Sequence, residues 1–202
     1  MQPFICETAI AAPIGGLNID TDQLIPGRFL KFDRARGYGT FLFHDLRFDA
    51  AGQEKADFIL NRSPFRSARI LVADENFGCG SSREGAVYAL CDFGIRTVIA
   101  PSFGDIFYSN SLKNGLLPAL VPSQFAATLR HELDTSPDPR LTVDLETMTI
   151  NSATGESSKF ELDAFNRECL MRGMDEIGLA LQQSAVIDAF EKEYYRRTPW
   201  LV

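Results

Sequence analysis

The chain has 202 residues, 45% apolar and 23% charged, the balance of a soluble globular protein rather than a disordered or fibrous one. That length suits one well-buried domain and is short for two, so residues 1–202 are read as a single domain. A net charge of −7 argues against a sequence-independent grip on nucleic acid, which needs clustered Lys and Arg to displace counterions.

The N-terminal "MQPFICETAIAAPIGG" lacks the basic start and long apolar core of a secretion signal, and no apolar run in the chain is long enough to cross a bilayer. A cytoplasmic protein without a membrane partner is expected. Cys6, Cys79, Cys91 and Cys169 are scattered, with no C-x-x-C pair, and His44 and His131 are the only histidines. Neither a zinc site nor a self-contained iron–sulfur ligand set is readable, and four scattered thiols suit a reducing compartment.

From Gly15 to Phe48 the sequence is rich in Gly, Asp and Arg with broken periodicity, which predicts loops and short elements over the surface, where function often resides. Between Arg69 and Val121, "RILVA", "RTVIA" and "LLPALV" alternate with "SREGAVYALCDFG" and "SFGDIFYSNSLKNG". Short apolar runs separated by helix-spaced segments give a βαβαβ unit with buried parallel strands, hence an α/β fold. Val87, Leu90 and Cys91 mark one helix face, and Phe103, Ile106 and Phe107 the next. Ser102 with Asp105 predicts the second helix's start, and Asn114, Gly115 and Pro118 its stop. After the unit, "RLTVDLETMTINSATGESSKFEL" alternates on either side of "SATGE" and predicts a β-hairpin, with helices around Ala164–Met171 and Ser184–Tyr195.

"FGCGSSREG", Phe77 to Gly85, is the stretch richest in chemistry. It is not a dinucleotide fingerprint, because Arg83 stands where the third glycine belongs, and not a P-loop, because its lysine is missing. Ser81 and Glu84 have the S-x-x-E spacing of a capping box. Capping does not require the pair Gly78 and Gly80, which lets backbone approach a ligand, nor the neighbouring Ser82 and Arg83. Free N–H groups and the positive helix end form a carboxylate or phosphate site that Arg83 can complete as a bidentate clamp. A serine nucleophile would need a partnering histidine, which the sequence does not place there. Cys79 and Cys91 read as packed thiols, and Phe77, Phe103 and Phe107 as packing or pocket wall.

"NIDTDQLIPGRFLK", "NFGCGSSRE", "IAPSFGDIFYSNSLKNGLLP" and "GMDEIGLALQ", in this order, resemble the small subunit of 3-isopropylmalate dehydratase, and the serine–arginine loop resembles that of the aconitase swivelling domain. The resemblance implies a swivelling-type α/β domain that closes the active site of a large subunit bearing a [4Fe-4S] cluster, with no cofactor bound by this chain itself. The implied reaction interconverts 2-isopropylmalate and 3-isopropylmalate through isopropylmaleate in leucine biosynthesis, one iron binding the departing hydroxyl. By position, Ser81 is the base, Ser82 donates to a substrate carboxylate, Arg83 clamps it, and Asp22 matches an active-site aspartate. "KFDRARGYG" falls where the family's flexible substrate-discriminating loop lies, so Arg34 or Arg36 supplies a second carboxylate contact. Where the family motif continues "SSREH", Gly85 replaces the histidine, which leaves another substituted malate open as substrate. A module that captures a carboxylate without chemistry is the rival from a different class.

Overall fold

A computed structural model describes residues 1–175 and 177–201. Seven strands form one sheet: β1 (Cys6–Pro13), β2 (Ile70–Val72), β3 (Thr97–Ala100), β4 (Leu117–Leu120), β5 (Arg140–Asp144), β6 (Thr149–Ser152) and β7 (Ser157–Lys159). The helices are α1 (Thr21–Leu24), α2 (His44–Arg47), α3 (Glu84–Phe93), α4 (Asp105–Lys113), α5 (Ser123–Thr135), α6 (Ala164–Arg172), α7 (Glu176–Leu181) and α8 (Ser184–Arg197).

The sheet runs β4-β3-β2-β1-β5-β6-β7. Its first four strands are parallel, as the βαβαβ pattern predicts, and the rest are antiparallel. β1, which the sequence reading did not identify, joins the halves: Ala11–Pro13 pair with β2, whereas Cys6–Ile10 pair with β5. The hairpin at "SATGE" is present between β6 and β7, and β5 extends it into a three-stranded meander.

Both sheet faces are covered, which is why the central strands read as unbroken apolar runs. Leu71, Ala73 and Val98 face a core shared with α3 and the segment before β2. Ile70, Val72 and Ile99 face a second core shared with α5 and α6. α5 was missed from sequence although Ala126, Leu129 and Leu133 follow helical spacing and are buried. The loop-rich region before β2 is less superficial than its composition suggests, because Leu24, Ile25, Leu42, Phe43 and Leu60 are fully buried within it.

α3 buries Gly85, Ala86, Val87, Ala89 and Leu90 and stops at Gly94, whose φ of +110° places its N–H on the Leu90 and Cys91 carbonyls. Cys91 packs against this core, and burial pushes its thiol up to about 11. α8 buries none of its residues and leaves Val186, Phe190 and Tyr194 exposed.

Candidate active site

Three loops leave the carboxyl ends of β1, β2 and β3 and meet, the position where open α/β sheets take their ligands. The Thr21 amide donates to the Cys79 carbonyl at 2.9 Å, and the Thr21 hydroxyl donates to the Ser81 carbonyl at 3.0 Å. The third loop is tied in by the Phe77 amide to the Ser102 carbonyl and the Gly104 amide to the Phe77 carbonyl. These bonds enclose a pocket of about 170 Å³ lined by Thr21, Gly78, Gly80, Ser81, Arg83, Gly104, Asp105, Ile106 and Phe107.

The glycines serve the loop's own packing. Gly78 has φ +73°, and a Cβ there would stand 2.2 Å from the Phe107 ring, so its missing side chain accommodates an aromatic rather than a ligand. Gly104 lets α4 start against the Gly78 carbonyl, 2.7 Å from where its Cβ would be. Gly80, at φ +91°, has more room and remains exposed at the pocket. Phe77 is fully buried with its ring edge-on to Phe107, which itself lines the pocket.

Both sequence-predicted helix starts are corrected. The N-cap of α3 is Arg83 in extended conformation, with no side-chain cap, and Ser81 lies two residues outside it. Glu84 accepts from Asn114 Nδ2 at 3.0 Å instead of closing a capping box, and that bond holds its carboxyl below the usual range. α4 starts after Gly104, while the Ser102 hydroxyl accepts from the Asn76 amide at 2.8 Å. Loop contacts outcompeted local capping in both places. Ser81 and Ser82 are exposed, and the Ser81 hydroxyl has no partner among the described residues.

Arg83 and Asp22 come together as an ion pair, the Arg83 Nη1 donating to Asp22 Oδ1. The Arg83 guanidinium, with help from the Gly27 backbone, holds the Asp22 carboxyl below its ordinary value, so Asp22 is a carboxylate at neutral pH. A Cβ on Gly27 would lie 3.6 Å from Arg83 Nη1, so this turn is part of the site. Thr21 and Gly27 were not singled out from sequence, although their neighbours in "DTD" and "PGR" were the available signal, and Ile106, read from sequence as part of a helix's apolar face, is instead half-exposed at the pocket.

The two loop arginines separate. The segment 31–39 packs along α3, with the Arg34 guanidinium 3.4 Å over the Tyr88 ring. Arg36 lies at the other end of α3, lining a groove with Arg47, Asp92 and Phe93. Along the helix axis Tyr88 is roughly 6 Å from Glu84, and Phe93 roughly 13 Å. Arg34 is therefore nearer Ser81 and Arg83 than Arg36 is.

Among the described residues no group of His, Cys, Asp and Glu is arranged to hold a metal ion, and no helix is long and apolar enough to cross a membrane.

The model of the aconitase C-terminal domain matches residues 1–124, and that of the C-terminal domain of the 3-isopropylmalate dehydratase small subunit matches residues 176–202. A curated 3-isopropylmalate dehydratase small subunit from Dinoroseobacter shibae is 49% identical, covering 100% of both chains. Its counterpart from Granulibacter bethesdensis is 50% identical, over 99% of this chain and 96% of that one. A crystal structure of 3-isopropylmalate dehydratase from Methanocaldococcus jannaschii superposes with a TM-score of 0.64 at 28% identity, covering 93% of this chain and 99% of that one. On this full-length likeness, the chain belongs to the family of 3-isopropylmalate dehydratase small subunits, built on the aconitase C-terminal domain.

Proposed function

We propose that this chain, acting as one swivelling domain over residues 1–202, closes the active site of a hydro-lyase that interconverts 2-isopropylmalate and 3-isopropylmalate through isopropylmaleate. The observation that carries the mechanism is the pocket at the strand ends into which Ser81 and Arg83 both open. Membership of the small-subunit family makes the chain part of a two-subunit enzyme of leucine biosynthesis. Its large subunit is the partner we propose to carry the [4Fe-4S] cluster, since the scattered thiols and lack of a metal-binding group among the described residues do not fit that cluster here. When bound, the cluster supplies a Lewis acid for the hydroxyl that leaves.

Ser81 removes the proton next to the departing hydroxyl. Its exposed side chain is unencumbered, its backbone is fixed by Thr21, and Arg83 stabilises negative charge beside it. Ser82 donates to one substrate carboxylate, which Arg83 clamps after trading its bond to Asp22. Asp22 orients Arg83 until substrate arrives, and Arg34 rather than Arg36 meets the second carboxylate.

In the chain alone, Arg83 is offset by Asp22, and Asp105 adds another negative charge to the pocket wall. With Arg83 so offset, a dicarboxylate needs cationic groups from the large subunit beside Arg83 and Arg34, which favours shared catalysis over a self-sufficient carboxylate-binding module. A cytoplasmic setting suits cysteines that form no disulfide and the soluble substrate. The test is anaerobic turnover of both isopropylmalates by the chain, by a cluster-reconstituted large subunit, and by the mixture, alongside calorimetry of the chain with each acid. Activity confined to the mixture, with no binding by the chain alone, is expected. Binding by the chain with no turnover in any combination would establish the module reading instead.

A further inference from the structure

Among the described residues, four non-glycine residues have a positive φ, and two of them, Asn18 at +58° and Asn76 at +61°, are bonded to each other across 58 positions of sequence. The Asn76 Nδ2 donates to the Asn18 Oδ1 at 2.7 Å. Asparagine is one of the few L-residues that visit this left-handed region at modest cost, and such a conformation persists only where its surroundings enforce it. Asn18 lies in the loop after β1 and Asn76 in the loop after β2. The Asn76 amide also donates at 2.8 Å to the hydroxyl of Ser102, in the loop after β3. The pair thus joins the same three loops that build the site.

The pair stands at a break in the parallel pairing of β1 with β2. On the strand side the pairing closes with the Ile14 amide on the Val72 carbonyl at 2.8 Å. Across the break, the Gly16 amide donates to Asp74 Oδ2 and the Asn18 amide to the Glu75 carbonyl, each at 3.0 Å, without a regular register. Beyond the two asparagines the pairing resumes: the Gly78 amide donates to the Ile19 carbonyl at 2.7 Å, and Asp20 bridges Cys79 in parallel, as Phe77 does Phe103. Thr21, Gly78 and Gly80 of the pocket lie on this resumed segment, and Asp22 and Ser81 follow directly. A slip of one residue in paired chains turns every following side chain to the other face, so whatever sets the register at the break decides where Asp22 and Ser81 point.

Building on the reading under Proposed function, we propose that Asn18 and Asn76 are positioning residues for the reaction: their side-chain bond and matched left-handed turns fix the register in which the Asp22 loop lies against the loop of Ser81 and Arg83. Neither side chain lines the pocket, so both act through the backbone. The bond is exposed and contributes little to folding, so its role is alignment of the loops rather than stability.

The test uses the assembled two-subunit enzyme with 2-isopropylmalate, comparing Asn18→Gly, Asn76→Gly and the double variant. Glycine adopts a positive φ freely, so each variant keeps its turn and loses the bond. Each single substitution should lower kcat roughly ten- to a hundredfold, the scale of a misplaced catalytic group, with the melting temperature little changed. The double variant should be no slower than the slower single, because either substitution removes the same bond. Asn18→Asp, which keeps the acceptor and tolerates the left-handed turn, should hold kcat near that of the unsubstituted enzyme. Hydrogen exchange on the same complexes should show the Thr21 and Gly78 amides opening faster in the glycine variants while the amides of β2 and β3 stay protected. Unchanged kcat, additive losses, inactive Asn18→Asp, or lost protection spread across β2 and β3 would overturn the proposal and leave the pair a surface turn. No turnover by the unsubstituted enzyme would overturn the parent reading and the catalytic role with it, while exchange at Thr21 and Gly78 would still decide whether the pair holds the register.

Discussion

Arg83 is bonded to Asp22 across 61 residues of sequence, and the carboxylate is the more exposed partner, with 57% of its side chain accessible against 21% for the arginine. The cation is thus held in place while its counter-ion can be exchanged, which is what a site that must accept a substrate carboxylate requires. Asp22→Asn keeps the shape and removes the charge that aims Arg83. Since small misplacements of positioning groups cost about a hundredfold in rate, kcat of the assembled enzyme should fall on that order. An ion pair this exposed contributes little to folding, so the melting temperature should barely move. Steady-state kinetics and thermal melts on the same preparation check both halves.

Ser81→Ala separates chemistry from architecture more cleanly than the sequence suggested. A capping serine would cost about 1 kcal/mol on removal. Ser81 does not cap α3, and it is held through its carbonyl, which alanine retains. Denaturant midpoints should therefore be unchanged within error, while turnover drops by several orders of magnitude. Retained turnover in a folded complex would remove Ser81 from the base role.

The parallel half of the fold was legible because buried strands write themselves as short apolar runs and α3 carries helical spacing with a glycine stop. β1 escaped notice because Cys6–Pro13 is a weak strand by composition, stabilised by partners on both sides that lie far away in sequence. Motif matching named Ser81, Arg83 and Asp22, but a local pattern cannot show that Asp22 and Arg83 meet, since a fold must bring them together. The capping box failed for the same reason: Glu84 found Asn114, 30 residues on, and a tertiary hydrogen bond displaced the local one.

Two glycines with similar positive φ should respond differently to substitution. Gly78→Ala meets both a positive φ of +73° and the Phe107 ring 2.2 Å from the new Cβ. Left-handed strain and overpacking together should cost about 3 kcal/mol. Gly37, at φ +78° and ψ 125°, has nothing within 4 Å of its Cβ position, so Gly37→Ala should cost its backbone strain alone, about 1–2 kcal/mol. Parallel urea titrations compare them directly; equal costs would mean that Phe107 yields.

Acid stability has an identifiable contributor in Asp45. Hydrogen bonds first from Arg28, then from His44, hold its carboxyl down to about 2 from an ordinary value of 3.8. A carboxyl depressed on folding stabilises the native state above its unfolded value and loses that contribution as pH falls through the folded one. The loss therefore runs from about pH 4 down to about pH 2. Asp45→Asn should flatten the dependence of stability on pH within that window and leave the slope at neutral pH alone. Its exposed position keeps the amplitude small.

Arg34 and Arg36 occupy one short turn, and the structure sends them to different parts of α3. Arg34 lies over Tyr88 and acts electrostatically on Glu84 in the first helical turn, whereas Arg36 reaches the groove beside Asp92 and Phe93 at the far end. If the second substrate carboxylate is bound from this turn, Arg34→Ala should raise KM of the assembled enzyme by roughly ten- to a hundredfold, the scale of a lost charge-assisted hydrogen bond. Arg36→Ala should leave kcat and KM essentially unchanged, because a guanidinium some two helical turns away is screened from the site by protein and solvent. Kinetics on the two single variants decide the matter: a KM effect confined to Arg36 would reverse the assignment, and an effect of neither would place the second carboxylate entirely on the large subunit.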